Sequence, residues 1–93
     1  MEEAMLEEWS IVAGENDPYL APELWTTALR GKVFGHPSLE DGTVVKTSTL
    51  KMFVPEENLA KTVNTTYHLG KMEEGFGEWL VEKGYTIEQY RKL

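Results

Sequence analysis

The chain contains no cysteine, which excludes disulfides, thiolate metal sites and thiol nucleophiles. Small secreted domains usually depend on disulfides, so the lack of them favours a reducing compartment. Long apolar runs are missing too, and nothing approaches the ~20 residues that a membrane span needs. The opening Met1-Glu2-Glu3-Ala4-Met5-Leu6-Glu7-Glu8 is the reverse of a basic secretion signal. The expectation is a soluble, cytoplasmic protein with no membrane partner. Basic residues are scarce, nine Lys and Arg against sixteen Asp and Glu, for a net charge of −7. That balance disfavours general phosphate and nucleic-acid binding, which depend on positive charge.

What is present suffices for one modest core. The 93 residues have the size of a single domain, taken as 1–93. A chain this short buries roughly two-thirds of its unfolded surface. Three Trp, four Tyr and three Phe help to fill the core, since each ring buries about 150–250 Å². The charge is unevenly spread: residues 1–24 carry seven acids and no base, residues 25–54 four bases against two acids, and residues 55–93 seven acids against five bases. Acidic residues keep a small domain soluble, and they also steer a basic partner toward it.

Residues 1–8 suggest a helical turn or two, followed by a strand at Trp9-Ser10-Ile11-Val12. Gly14-Glu15-Asn16-Asp17-Pro18 marks a turn, and residues 22–27 suggest a short helix or ordered loop, with Pro22 at its start. The middle reads as a meander. A strand at Leu29–Phe34 ends at Gly35-His36-Pro37, and Glu40-Asp41-Gly42 is a turn signal. From Thr43 to Phe53, Val44, Ser48, Leu50 and Met52 share one face and Val45, Thr47, Thr49, Lys51 and Phe53 the other. Pro55-Glu56-Glu57-Asn58 fits a type I turn, and a third strand returns over Lys61–Leu69. There Val63, Thr65, Tyr67 and Leu69 share one face. Met72, Phe76, Trp79 and Leu80 then form one apolar helical stripe, with Glu73, Glu74, Glu78 and Glu82 facing away. Gly84 is placed to cap that helix, and Thr86 with Gln89 matches a capping box for a last short helix. The expected fold is α+β: a three- to four-stranded antiparallel meander of the SH3-like partial-barrel kind, packed against C-terminal helices.

Signals for catalysis are weak. His36 and His68 lack a close paired spacing, so no metal is expected at either, even with Glu40 or Asp41 nearby. Ser48, His36 and Asp41 have the composition of a triad without the strand–turn–helix elbow around the serine. Gly31–Gly35 lacks the Lys-Ser/Thr of a phosphate loop. No cofactor and no enzyme activity are expected. Thr43, Thr47, Thr49, Thr62 and Thr66 suggest an outer face rich in hydroxyls. Arg30, Lys32, Lys46 and Lys51, with Phe34 and Phe53, would serve a nucleic-acid accessory domain as a small platform.

Leu29-Arg30-Gly31-Lys32-Val33-Phe34-Gly35-His36-Pro37, then Asp41-Gly42, Thr47-Ser48 and Tyr67-His68-Leu69-Gly70, resembles a known pattern. It is that of a group of small uncharacterised bacterial and prophage proteins, L-x-G-x-V-x-G-H-P … D-G … T-S … Y-x-L-G. Pro18-Tyr19 and Ala21-Pro22-Glu23 are similar as well, so the likeness spans roughly residues 9–82. The group carries no assigned activity; the resemblance implies a mobile-element setting. The leading expectation is a non-enzymatic protein-binding module, a phage-borne inhibitor that occupies a basic surface of a host nucleic-acid enzyme. In size and charge it is similar to many anti-CRISPR proteins. Glu7, Glu8, Glu15 and Asp17 are the candidate partner-binding residues. The alternatives are the nucleic-acid or ribonucleoprotein accessory domain using Arg30, Lys32, Lys46 and Lys51, and then a small enzyme.

Overall fold

Side chains alternate along the first residues of the chain: Ala4 and Leu6 are buried, Glu3 and Met5 exposed. That period of two marks a half-buried strand. Tertiary burial here overrides the helix propensity of Glu, Ala, Met and Leu. The computed structural model describes residues 2–12, 19–22 and 27–92, and in it β1 runs over Glu2–Val12, where a helical turn was expected. The turn over 14–18 and most of the element over 22–27 lie outside the described residues. β2 (Ala28–Phe34), β3 (Thr43–Lys46), β4 (Met52–Val54), β5 (Leu59–Lys61) and β6 (Thr65–Leu69) follow, then the helix α1 (Glu74–Lys83).

The strands make one six-stranded sheet in the order β3-β2-β1-β6-β5-β4. β1 pairs parallel with β6, Ala4 opposite Tyr67, and the other pairings are antiparallel. The fold is therefore α+β with a mixed, open sheet, larger than the expected antiparallel meander. The Trp9–Val12 segment does join it, as part of the strand β1 between β2 and β6.

Two threonines break the long strands that the sequence suggests. At Thr47 the backbone N–H donates to the Leu29 carbonyl (2.7 Å), while the hydroxyl accepts from the Leu29 N–H (2.9 Å) and donates to the Ser48 carbonyl (2.8 Å). A side chain that takes ladder bonds ends the ladder. Residues 47–51 then cross to the other edge, where the Lys51 N–H donates to the Lys61 carbonyl (2.7 Å). One β-branched run thus supplies both edges, and its face pattern shifts: Leu50, Phe53 and Val54 are buried while Val44 is exposed. At Thr62 the N–H donates to the Thr65 carbonyl (2.9 Å) and closes a tight turn with Val63 at its tip. Thr47, Thr62 and Thr66 are buried, so the expected hydroxyl face does not form.

Local signals hold better. Asn58 follows the single helical turn Pro55–Glu57 in the left-handed conformation, φ 53°, and both halves of the Thr86–Gln89 capping box are made. Gly84 caps α1 at φ 78°, a value that a Cβ disfavours. The final segment covers one edge of the sheet, because the N–H and carbonyl of Lys92 bond those of Phe53 (2.9 and 2.7 Å). Among the described residues no helix is long and apolar enough to cross a membrane.

The core lies between the sheet and α1. Leu6, Ile11, Leu29, Val33, Leu50, Phe53 and Phe76 are fully buried. From the helical stripe, Phe76 and Leu80 are buried, and Met72 and Trp79 pack half-buried against them. Trp79 stacks on Phe76 (centroids 5.9 Å apart) and meets Tyr19 (5.4 Å) and Tyr85 (5.6 Å). Trp79→Ala should destabilise the fold by about 3 kcal/mol, the low end for a large aromatic because the ring is only half-buried. Urea denaturation checks this, and a loss below about 1 kcal/mol would show that the helix is not docked through this ring.

Candidate functional site

The surface features of interest originate in a bulge. Glu7 stands opposite Lys32 and Ser10 opposite Arg30, so Glu8 and Trp9 together oppose Gly31. Glu8 takes φ 51°, a left-handed conformation that costs a side-chain-bearing residue about 1–2 kcal/mol. A Cβ on Gly31 would lie 2.8 Å from the Glu7 carbonyl oxygen and 3.1 Å from the Trp9 Cα, so the partner strand must carry glycine there. The extra residue turns the Trp9 ring into the core and sends Glu8 outward to Lys32, 2.7 Å away. The hydrogen bond and charge of Lys32, helped by the charge of Lys71, hold the Glu8 carboxyl below the usual glutamate range.

Of the acidic candidates, Glu7 is taken up internally. Its carboxylate accepts the Lys71 N–H (2.9 Å) and fills the space over Gly70, where a Cβ would collide with it. Glu8 is ion-paired, and Glu15 and Asp17 lie outside the described residues. Two further N-terminal acids face histidines: Glu2 is 3.6 Å from His36 and Glu3 2.8 Å from His68. The two histidines thus sit beside different glutamates, and no group of three or more His, Asp or Glu able to hold a metal occurs among the described residues. Asp41 accepts the Gly35 N–H (2.8 Å) and braces its turn.

Three of the four basic candidates come together. Arg30 and Lys32 are exposed two residues apart on β2, and Lys46 of β3 stands opposite Arg30. Lys51 lies apart, in the segment that crosses to β4. Phe53 is fully buried, so it offers no ring for stacking, and Phe34 is half-buried.

Sequence reasoning missed a groove of about 470 Å³ beside the bulge. Arg30, Lys32 and Val44 line one part, and Lys71, Met72 and Glu74 another. Its second side exists because the Trp9 N–H donates to the Lys71 carbonyl (3.3 Å) and the Trp9 carbonyl accepts from the Glu73 N–H (2.7 Å). Nothing local in the sequence announces that pairing. The Tyr19 hydroxyl donates to the Glu73 carboxylate (2.8 Å), and burial, then that bond and the charges of Glu73 and Glu78, raise its pKa. A second surface lies on the outer ridge of α1, where Glu74, Gly77, Glu78, Val81 and Glu82 border a shallow dish of about 560 Å³. Val81 is 82% exposed there. No protein-family model matches the chain, and neither does any curated protein or solved structure.

Lys32 thus favours the charged form of Glu8, and burial favours the neutral form of Tyr19. Gly31→Ala should cost about 1–3 kcal/mol, measured by urea denaturation, because backbone and core must move to admit the methyl group; an unchanged midpoint would mean that the bulge does not require this close approach. Tyr19 should also leave an alkaline signature. Its stabilising share is complete below pH 10.0, the ordinary tyrosine value, and is lost as pH rises from there through the raised pKa of the folded chain. Stability should therefore fall more steeply above that pH in the native sequence than in Tyr19→Phe; equal slopes would remove Tyr19 from the account.

Proposed function

We propose that the chain is a non-enzymatic protein-binding module whose docking face is the outer ridge of α1. In this reading it fits a basic surface on a nucleic-acid enzyme of a host, as a phage-borne inhibitor would. The observation that carries it is Val81, 82% exposed, among Glu74, Glu78 and Glu82. An ordinary solvated helix face gains from opposite charges four residues apart. This one sets Glu74 against Glu78 and Glu78 against Glu82, each like-charge pair costing about 0.2–0.5 kcal/mol. Glu82 also stands near the negative end of the helix dipole. None of the three glutamate side chains makes a hydrogen bond or ion pair among the described residues. Glu78 and Glu82 thus weaken the helix, while the dipole favours Glu74 in the first turn, and the three suit an apolar contact ringed by charge. The N-terminal acids fit the role less well, because Glu7 and Glu8 already have internal partners.

The accompanying fold reading is a sheet curled toward an SH3-like partial barrel. Six flat strands ~4.8 Å apart would place their edges ~24 Å from each other. The five residues 47–51 between β3 and β4 reach only ~20 Å, which supports the curl. The gathering of Arg30, Lys32 and Lys46 keeps one second reading, the nucleic-acid accessory domain, and salt-dependent binding of an oligonucleotide is its mark.

Capture from host lysate followed by kinetics with the purified partner tests the proposal. Replacing Glu78 and Glu82 by Gln and Val81 by Ser should weaken binding about tenfold or more. Most of the glutamate effect should appear as slower association that converges with the native rate at high salt. The Glu78→Gln change alone removes both like-charge pairs and should raise stability by about 0.4–1 kcal/mol. A parallel variant neutralising Glu7, Glu8, Glu15 and Asp17 tests the N-terminal surface. Undiminished binding by the folded helix variant would sink the ridge as the docking face.

A further inference from the structure

The groove beside the β1 bulge holds charges of both signs, of which Glu8 and Lys32 form an ion pair. Glu8 is engaged by Lys32 at 2.7 Å, and Glu73 by the Tyr19 hydroxyl at 2.8 Å. Arg30, Lys71 and Glu74 line the same groove and make no ion pair among the described residues. The backbone anchors each of them on a different element or segment. Arg30 sits on β2 between β1 and β3. Lys71 is pinned through its N–H to Glu7 and through its carbonyl to Trp9. Glu74 opens α1, directly after the Glu73 N–H bonded to the Trp9 carbonyl. Val44, 55% exposed, and half-buried Met72 supply apolar wall. The volume, about 470 Å³, falls within the range of small-ligand pockets.

We propose that this groove binds a small zwitterion of the α-amino-acid type. Its carboxylate lies between Arg30 and Lys71, its ammonium group on Glu74, and its apolar side chain against Val44 and Met72. A simple anion fits poorly, because Glu8, Glu73 and Glu74 share the groove and repel it. A simple cation meets Arg30, Lys32 and Lys71. A ligand carrying both signs, a few bonds apart, satisfies the unpaired charges on both sides at once. Arginine suits the carboxylate end, since its planar fork matches two oxygens together. A free amino acid and a dipeptide share this chemistry, and the groove is open enough to admit either.

The test is a titration of the isotope-labelled full chain, followed by amide chemical shifts. The ligands are leucine, leucyl-leucine, N-acetyl-leucine and leucinamide. Leucine or the dipeptide should shift the amides of Gly31, Lys32, Lys71 and Gly75, and the tighter of the two identifies the source. Capping either end should weaken binding about tenfold or more, the loss of one charge-assisted contact. Arg30→Gln should weaken leucine and leave leucinamide unchanged. Glu74→Gln should weaken leucine and leave N-acetyl-leucine unchanged. Such selective losses have no counterpart in a merely structural role for these side chains. Absence of shifts with millimolar leucine and dipeptide would overturn the proposal, as would equal binding of the capped ligands or shifts confined to another surface.

Discussion

The parallel ladder between Glu2–Leu6 and Thr65–Leu69 joins two antiparallel halves, β1-β2-β3 and β6-β5-β4, into one sheet. The ladder does not stop at β6. The Gly70 N–H bonds the Leu6 carbonyl (2.9 Å), and after the bulge Trp9 takes up Lys71 and Glu73. The start of α1 is placed by β1 in this way, and the helix then covers the core with Phe76 and Leu80. If β1 and β6 slipped by one residue, Ala4 and Leu6 would exchange faces with Glu3 and Met5, leaving the core unfilled. Burial on one face fixes the register, and the register fixes where the groove and the outer helix ridge lie.

The bulge is where the two halves accommodate one another. Without the extra residue, Trp9 would face outward and Glu8 inward. With it, the indole is buried and its N–H reaches the Gly70 carbonyl (3.0 Å). Glu8 accepts a left-handed backbone that glycine would occupy at less cost, and its side chain gains Lys32 in return. An exposed ion pair adds little stability, so this residue is better understood through the surface it shapes.

Much of the fold was legible wherever the signal was local. The stripe of Met72, Phe76, Trp79 and Leu80, the Pro55–Asn58 turn and the Thr86–Gln89 box each announce themselves within a few residues, and each is present. The strand breaks were not legible, because Thr47 and Thr62 have strand propensity yet act through backbone hydrogen bonds made at a distance or in a turn. The opening strand was hidden by helix-forming residues whose alternation matters only once β2 and β6 flank them. Of the candidate site, Arg30, Lys32 and Lys46 could be paired by their strand pattern. Lys71 and Glu74 could not, since they reach the groove through the long-range contacts of Trp9.

The pairing of β1 with β6 also bears on the order in which the molecule assembles. Ala4 waits for Tyr67, a closure across most of the chain, whereas β1-β2-β3 and β4-β5-β6 each form from neighbouring segments. Loop closure costs entropy before the distant contact returns any free energy. Each half can therefore be sampled as a transient meander, with the inner edges of β1 and β6 bare until they meet. Joining those edges in parallel closes the longest stretch of chain in the sheet, so it carries the largest entropic cost of the strand pairings.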